Sequence, residues 1–525
     1  RRRSPRPLAE SEVAMRITAL ETIRCKAFAN LLWLRLETDA GPVGLGEAFR
    51  NAEATEAYLH ETLAPELLAR DPRPVAAHRE RIGRVIANRF MGTPSRSVEL
   101  RGDAAVDMAL WDLLARSLGV PLHRLWGGPV RERIRVYNTC AGPAYNTCPT
   151  IGWVSRLAEP GARPLGALDD LQAQLDDPVG LARSLLAEGV TALKIWPFDR
   201  FAAATGGNAI GPSELEAGLA PIRAIREALG EAVEILVECH GLWRLPAAVR
   251  IARALEPYRI FWLEDPIAMH RLDDLRRLKE ATGIPLAGSE NHGTAHWFRE
   301  AFAQGVIDYA HFDVGWMGGL SEALDVAALA RAFDRPIAPH DCVGPVMLAA
   351  NLQLLAAQPH GLWCETVRAY ARGWYREVVE GLPEPEGGTI GFPEGPGLGV
   401  RLSPGFLARP DLVRRRSTLG PGRAGRGLPL GPIGLAYGRD QARGGTPMSF
   451  ASYLDKAQQK LGDLERILGE LGERAGVVDA KAELEAVRER LKALRLQGAE
   501  LSEEAVQGFT QRLDALTARI GALRG

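Results

Sequence analysis

Between residues 135 and 366 one alternation recurs: a short β-branched or apolar run, then a longer helical stretch. The runs are RVYNTCAG (135–142), TALKIWP (191–197), VEILVECHG (233–241), IFWLEDP (260–266), PLAGSE (285–290), DYAHFDVG (308–315), RPIAPHD (335–341) and LWCET (362–366). Helical periodicity fills 212–229, 246–256, 271–282, 295–304, 320–332 and 345–357 between them. Strands separated by helix-length crossovers pair in parallel, and eight such units close into a barrel. The expected fold class is therefore α/β, a TIM-type barrel.

The flanking segments read differently. Residues 15–125 suggest an α+β unit, with strands at 16–25 and 31–38, a Gly-rich turn at Ala40–Gly46, and helices at 52–69, 74–90 and 103–118. Residues 143–178 form a long Pro/Gly-rich insertion after the first barrel strand. Residues 419–447 hold 13 Gly or Pro among 29 positions, a linker composition. Met448–Gly525 has no Pro, His, Cys or Trp, yet holds four of the seven lysines. Its apolar positions recur at helical spacing (Leu454, Leu461, Leu464, Leu468, then Leu484, Val487, Leu491, then Phe509, Leu513, Leu516, Ile520). Two or three amphipathic helices are expected there, as a hairpin or short coiled coil. MSFASYLDKA resembles a fresh translation start, which suggests a fusion or read-through. Residues 1–14 are expected to be a disordered arm, or to precede a natural start at Met15.

Composition excludes several classes. The 65 acidic and 64 basic side chains nearly cancel, so the basic excess of a general nucleic-acid binder is missing. No run of 18 apolar residues offers a membrane span. The six cysteines form no CxxC pair, which argues against a disulfide framework or structural zinc and for a reducing, cytoplasmic setting.

The chemistry is carried by a spacing. Glu238, Glu264 and Glu290 lie 26 residues apart, each at the C-terminal end of an expected strand. One βα unit per carboxylate brings all three to the mouth of the barrel, the face from which barrel enzymes draw catalytic residues. Three converging carboxylates repel, and a hard divalent ion relieves this; oxygen-only ligation favours Mg²⁺ over zinc. The alternative, that each merely ends a strand or caps a helix, suits one such residue better than three at an equal repeat. Asp313, His340 and Glu365 end the sixth, seventh and eighth strands. An Asp beside a His fixes its tautomer and raises its basicity. His240, two residues after Glu238, falls either on the same strand face or in the loop above it.

These stretches together resemble the mandelate racemase branch of the enolase superfamily. The resemblance is carried by DAAVDMALWDLLARSLGVPLHRLWGG (103–128), VECHGLW (237–243), WLEDPI (262–267), GSE (288–290) and APHDCVGP (338–345). It covers the chain from Met15 to about Thr418. It implies an N-terminal α+β capping domain (15–125) on a modified (β/α)7β barrel (126–390), with 391–418 returning to the cap. It also implies abstraction of a proton α to a carboxylate and an enediolate stabilised by Mg²⁺. On this resemblance Glu238, Glu264 and Glu290 are the metal ligands, His340–Asp313 is the base dyad, and Glu365 is the acid that hydrogen-bonds the enediolate.

One departure from the family pattern bears on the reaction. The usual Lys-x-Lys after the second strand is Lys194-Ile-Trp196 here. Trp196 cannot take a proton, which weakens a two-base racemase reading, and Lys194 reads better as a charge partner of a metal carboxylate. VECHG resembles the galactonate-type acid sugar dehydratases, in which the His two residues after the first ligand is a general acid. The expected reaction is then β-elimination: His340 takes the α-proton and His240 protonates the departing hydroxyl. A racemase, epimerase or cycloisomerase of a related acid is the alternative enzyme, and a degenerate scaffold with an active helical tail is the alternative outside catalysis. Arg50, Trp196 and His292 are candidate substrate contacts, with Glu47 and Phe49 in the same cap segment as Arg50. The expected partner is a small-molecule carboxylate, with no nucleic acid and no membrane, and the resemblance implies a homo-oligomer.

Overall fold

The computed structural model describes residues 15–89, 98–144, 161, 166, 168–418, 450–471 and 477–497, with scattered positions between 509 and 520. The expectations for the arm at 1–14, the linker at 419–447 and most of the 143–178 insertion fall outside them. The chain divides into two compact units, Arg1–Gly427 and Leu428–Gly525.

The first unit opens with an antiparallel sheet of strands Ile17–Cys25, Phe28–Thr38 and Val43–Phe49. Its fourth strand, Leu412–Thr418, comes from the far end of the barrel sequence and pairs with Ile17–Cys25, Ala19 facing Thr418. The expected Gly-rich turn at Ala40–Gly46 is corrected: the chain is already in a strand from Val43. Gly44 and Gly46 are there for close approach. A Cβ on them would lie 2.2 Å from the Ala109 carbonyl and 2.0 Å from that of Ala105, so only glycine lets the helix Val98–Leu118 lie on this strand. That helix begins five residues before the expected position. The expected helix 52–69 is interrupted by a π-turn at Leu59–Leu63 that places His60 between Thr22 (2.8 Å) and Ser417 (2.7 Å).

The barrel strands are Ile134–Thr139, Ala192–Ile195, Glu234–Glu238, Trp262–Glu264, Leu286–Gly288, Tyr309–Ala310 and Cys364–Thr366. All pair in parallel in chain order, and Cys364–Thr366 pairs back onto Ile134–Thr139. The expected seventh strand at 335–341 is reduced to Ile337, which bridges Ala310 on one side and Gly361 on the other. Pro336 and Pro339 offer no amide proton, yet Ala338 N donates to the Ala310 carbonyl (3.0 Å) and His340 N to that of Phe312 (2.8 Å), so the run still pairs along that edge. Inside the barrel Tyr137, Trp262 and Trp363 pack with Ala192, Leu236, Ala287 and Ala338. This aromatic layer is a floor, and the strand ends above it are open to carry chemistry. The helix Pro345–Ala357 is buried on every side, as its largely apolar sequence requires, and its two polar residues are bonded, Asn351 to the His340 carbonyl and Gln353 to that of Pro393. Its first amides are held from the cap: Glu47 accepts from Met347 N (3.0 Å), Val346 N (3.4 Å) and Trp33 Nε1 (2.8 Å).

The second unit contains helices Phe450–Leu471 and Val477–Gln497, with helical positions again between 509 and 520. Leu461, Leu464, Leu468, Leu484, Leu491, Leu513, Leu516 and Ile520 form its own buried core. The stripes therefore bury one another within one chain. Arg488 spans the helices to Glu465 at 2.6 Å. Among the described residues no helix is long and apolar enough to cross a membrane, and Cys25, Cys140, Cys239, Cys342 and Cys364 are free thiols.

Candidate active site

Strand register creates the acidic cluster. Glu238 faces Glu264 across adjacent strands, and Glu290 lies two residues past Gly288, the end of the next strand. All three are buried. Lys194, at the end of the second strand, puts its ammonium 2.5 Å from Glu264 Oε1, 2.9 Å from Glu365 Oε1 and 3.8 Å from Glu238 Oε2. Trp262 Nε1 donates to the other Glu264 oxygen at 2.9 Å. Burial opposes charge on every one of these groups. For Glu264 the charges of His311 and Lys194 win, and its carboxyl is held well below the usual range. For Glu238 burial, reinforced by the neighbouring Glu264, wins, and its carboxyl is pushed well up. Burial would also raise Glu365, but Lys194, His340 and His311 hold it at about 2.

His340 lies beyond Ile337, and its Nδ1 is 2.7 Å from Asp313 Oδ2. The carboxylate of Asp313 accepts Nδ1–H, which fixes the ring so that Nε2 faces Glu290 Oε2 at 3.1 Å. Burial alone would depress the imidazole; Glu290, Glu365 and Asp313 outweigh it and push it up to about 10.

His240 sits in the loop after the Glu238 strand rather than on the strand face. Its φ of 47° is left-handed, and its amide donates to the Glu238 carboxylate. Its Nδ1 is 2.5 Å from Asp199 Oδ2. Trp196 meets the imidazole edge-on, with centroids 5.2 Å apart. Burial opposes the charged ring, but Asp199 outweighs it and the pKa is raised.

Lys194, Trp196, His240, Glu290 and His340 line one cavity together with Phe49 and Arg50 from the cap and Thr139, Trp316 and Cys342 from the barrel. Arg50 is reached because the chain turns through left-handed Arg50 and Asn51 just past the Val43–Phe49 strand. Its guanidinium lies 5.5 Å from the Phe49 ring centroid and 5.6 Å from that of Trp316. His292 is a correction. It is not among the residues lining the cavity; its ring stacks on Trp297 at 4.6 Å and 3°. The helix Thr294–Ala303 begins two residues later and draws it to that side.

The donor set suits a hard cation. Glu238 Oε2 is buried without a hydrogen bond among the described residues, and two carboxylates face each other on neighbouring strands. Ligand atoms of Glu264, Glu290 and His311 already lie within 4.8 Å of one another. Among the described residues that group includes His311 and not Glu238, whose Oε1 accepts from the His240 and Cys239 amides.

Two site residues escape sequence reading. His311 is fully buried, its Nδ1 donating to the Ala338 carbonyl (2.6 Å) and its Nε2 3.0 Å from Glu264 Oε1. It lies two residues before Asp313, so the alternation of one strand face was the available signal. Asp199 reads as an ordinary helix-starting acid; nothing local announces that Pro197 and Phe198 turn it back towards His240.

Residues 11–127 match the N-terminal domain of the mandelate racemase / muconate lactonizing enzyme family, and residues 179–405 match the enolase C-terminal domain-like family. The chain is 30% identical over 399 residues to a D-galactonate dehydratase of Ralstonia nicotianae, covering 74% of this chain and 92% of that protein. It is 31% identical over 306 residues to a D-gluconate dehydratase of Thermoproteus tenax, a match spanning 58% of this chain but only 55% of the relative's length. A crystal structure of an enolase of the mandelate racemase subgroup from Agrobacterium tumefaciens is 38% identical, with a TM-score of 0.67 over 77% of this chain and 99% of that one.

Proposed function

The chain belongs to the mandelate racemase / muconate lactonizing enzyme family of the enolase superfamily, and from that premise we propose that it is a Mg²⁺-dependent acid sugar dehydratase. The observation that carries the reading is the pair of Asp-held imidazoles, His340 on Asp313 and His240 on Asp199, lining one cavity beside the carboxylates. An elimination needs one group to take the α-proton and another to protonate a poor leaving group. Two imidazoles, each with Nδ1 engaged by a carboxylate, meet that need. The similarity to D-galactonate and D-gluconate dehydratases supports the substrate class.

In this reading a cation on Glu290 would offset the charge that, with Glu365 and Asp313, holds the His340 ring protonated; the neutral ring then removes the α-proton through Nε2, and Asp313 keeps it aligned. His240 donates a proton to the departing β-hydroxyl, which leaves as water, and the enol product tautomerises to a 2-keto-3-deoxy acid. Glu238, Glu264 and Glu290 would hold Mg²⁺, which supplies positive charge opposite the carboxylate whose α-carbon is deprotonated. Glu365 is the acid expected from the resemblance to hydrogen-bond the developing enediolate, and the Lys194 ammonium lies 2.9 Å from its Oε1, so the pair supplies a proton and positive charge at that position. Arg50 and Trp196 bound the substrate from cap and barrel.

The test is a panel of acid sugars, D-galactonate and D-gluconate included, assayed for 2-keto-3-deoxy product in Mg²⁺ buffer and again with excess EDTA. Product formation with Mg²⁺ only is expected. An epimer of the substrate as sole product would favour the isomerase alternative.

A further inference from the structure

We propose that Asp199 is a positioning residue for His240: it keeps the ring's Nδ1 protonated, so that Nε2 is the atom that delivers a proton in the cavity. The inference rests on the dehydratase reading for the reaction served, but not for the tautomer.

Asp199 is fully buried, and its Oδ2 lies 2.5 Å from His240 Nδ1. Its other oxygen, Oδ1, accepts no hydrogen bond among the described residues. A carboxylate serving only packing would be replaced at little cost by a group that needs no such bonds. Nor does it serve as the cap of its own helix, Asp199–Thr205: the cap position is Phe198, and no side-chain cap bond is made there. Its bonded oxygen is spent on the imidazole.

The place of this carboxylate matters. The stretch Lys194-Ile195-Trp196 ends the second strand with an indole, which cannot exchange protons. Three residues later the chain instead supplies an acid directed at His240, while Trp196 closes one edge of the same ring. The backbone of His240 is fixed separately by its left-handed φ and its amide bond to Glu238. Backbone, ring edge and Nδ1 are thus each restrained by a different residue, which defines where Nε2 points.

Protons and electrons balance. The Cα–H bond breaks towards His340, the Cβ–O bond breaks with its electron pair going to oxygen, and that oxygen takes the Nε2 proton of the doubly protonated His240 ring. The Nδ1 proton stays on its bond to Asp199. The ring is left neutral in the tautomer that the carboxylate favours, ready to regain a proton at Nε2.

The experiment compares Asp199→Leu with Asp199→Asn in the full chain. The amide oxygen of Asn still accepts from Nδ1–H; Leu accepts from nothing. For Asp199→Leu the dehydration kcat on D-galactonate or D-gluconate is expected to fall roughly 10²–10³-fold. KM and α-proton exchange with D₂O should stay within about threefold, because His340 performs the exchange. Asp199→Asn should recover at least about tenfold of that loss. Equal loss of exchange and dehydration, no rescue by Asn, or unchanged dehydration overturns the proposal. Nitrogen NMR of ring-labelled histidine, with His240 assigned by its disappearance in His240→Gln, reads the tautomer without turnover. A proton on Nδ1 in the wild type that is lost in Asp199→Leu supports the proposal even if no acid sugar is turned over, an outcome that would sink only the dehydratase reading. A wild-type neutral ring protonated on Nε2 rejects it.

Discussion

Lys194 Nζ lies 2.5 Å from Glu264 Oε1, and the same ammonium is 2.9 Å from Glu365 Oε1, so one buried cation serves carboxylates from two strands that are not neighbours in the barrel. Such a charge partly neutralises the acidic cluster and would compete with a metal ion for the same oxygens.

This competition has a measurable consequence. Lys194→Met leaves the carboxylates without their internal cation and should lower stability in Mg²⁺-free buffer by about 3–5 kcal/mol. Added Mg²⁺ should then raise the melting temperature of the variant more than that of the wild type. A variant that melts like the wild type with and without Mg²⁺ would show that Lys194 does not share its partners with a cation.

The two histidines are expected to separate the reaction into halves. His340→Asn should abolish exchange of the α-proton with D₂O and dehydration together. His240→Asn should stop dehydration while exchange persists, since its proton is needed only by the leaving group. Loss of exchange in both variants would point to a two-base mechanism.

Glu47 gives a pH prediction. Burial, opposed by the Met347 and Val346 amides and Trp33, pushes its carboxyl from 4.5 up to about 7. A folded-state value above the unfolded one means that the group's contribution is fully present below pH 4.5 and is lost as pH rises through about 7. The whole effect is about 3 kcal/mol. Urea unfolding of wild type and Glu47→Gln across pH 4.5–8 should show the wild type losing its advantage over this window. Parallel curves would refute the assignment. Because Glu47 holds the first amides of the helix Pro345–Ala357 from the strand that leads to Arg50, the variant should also raise KM.

The C-terminal unit is expected to fold alone. A fragment of residues 448–525 should be a helical monomer with a cooperative thermal transition, since its three apolar stripes meet in one internal core. Leu461→Asp, which puts a charge in that core, should abolish the transition. Helicity that depends on fragment concentration would indicate instead that the stripes bury against a second copy.

The barrel was legible because its signal is periodic. Eight apolar runs separated by helix-length segments permit little besides a closed parallel sheet, and the helices 212–229, 320–332 and 345–357 fall where their periodicity ends. The 26-residue recurrence of Glu238, Glu264 and Glu290 is also local information, because one βα unit maps onto one barrel step. Strand lengths were less legible: how far a run extends depends on the partners its neighbours offer, and the run 335–341 shortens to a single bridging residue, Ile337, although Ala338 N and His340 N still pair along one edge. Gly44 and Gly46 looked like a turn because glycine promotes turns in isolation. Their actual constraint is the Ala105 and Ala109 carbonyls, some sixty residues away in the chain.

What the sequence determined by itself is what repeats or alternates along it: the barrel, the faces of its helices, the amphipathic helices of the tail and the residue types at the strand ends. Tertiary structure alone decided which of those residues meet. That Asp199 reaches His240 follows from how loops from different strands bend over one mouth. The same is true of His292 leaving the cavity for Trp297. Such contacts are set by a few angles in non-repeating backbone, where a change of one φ redirects a side chain by several ångströms and leaves no periodic trace in the sequence.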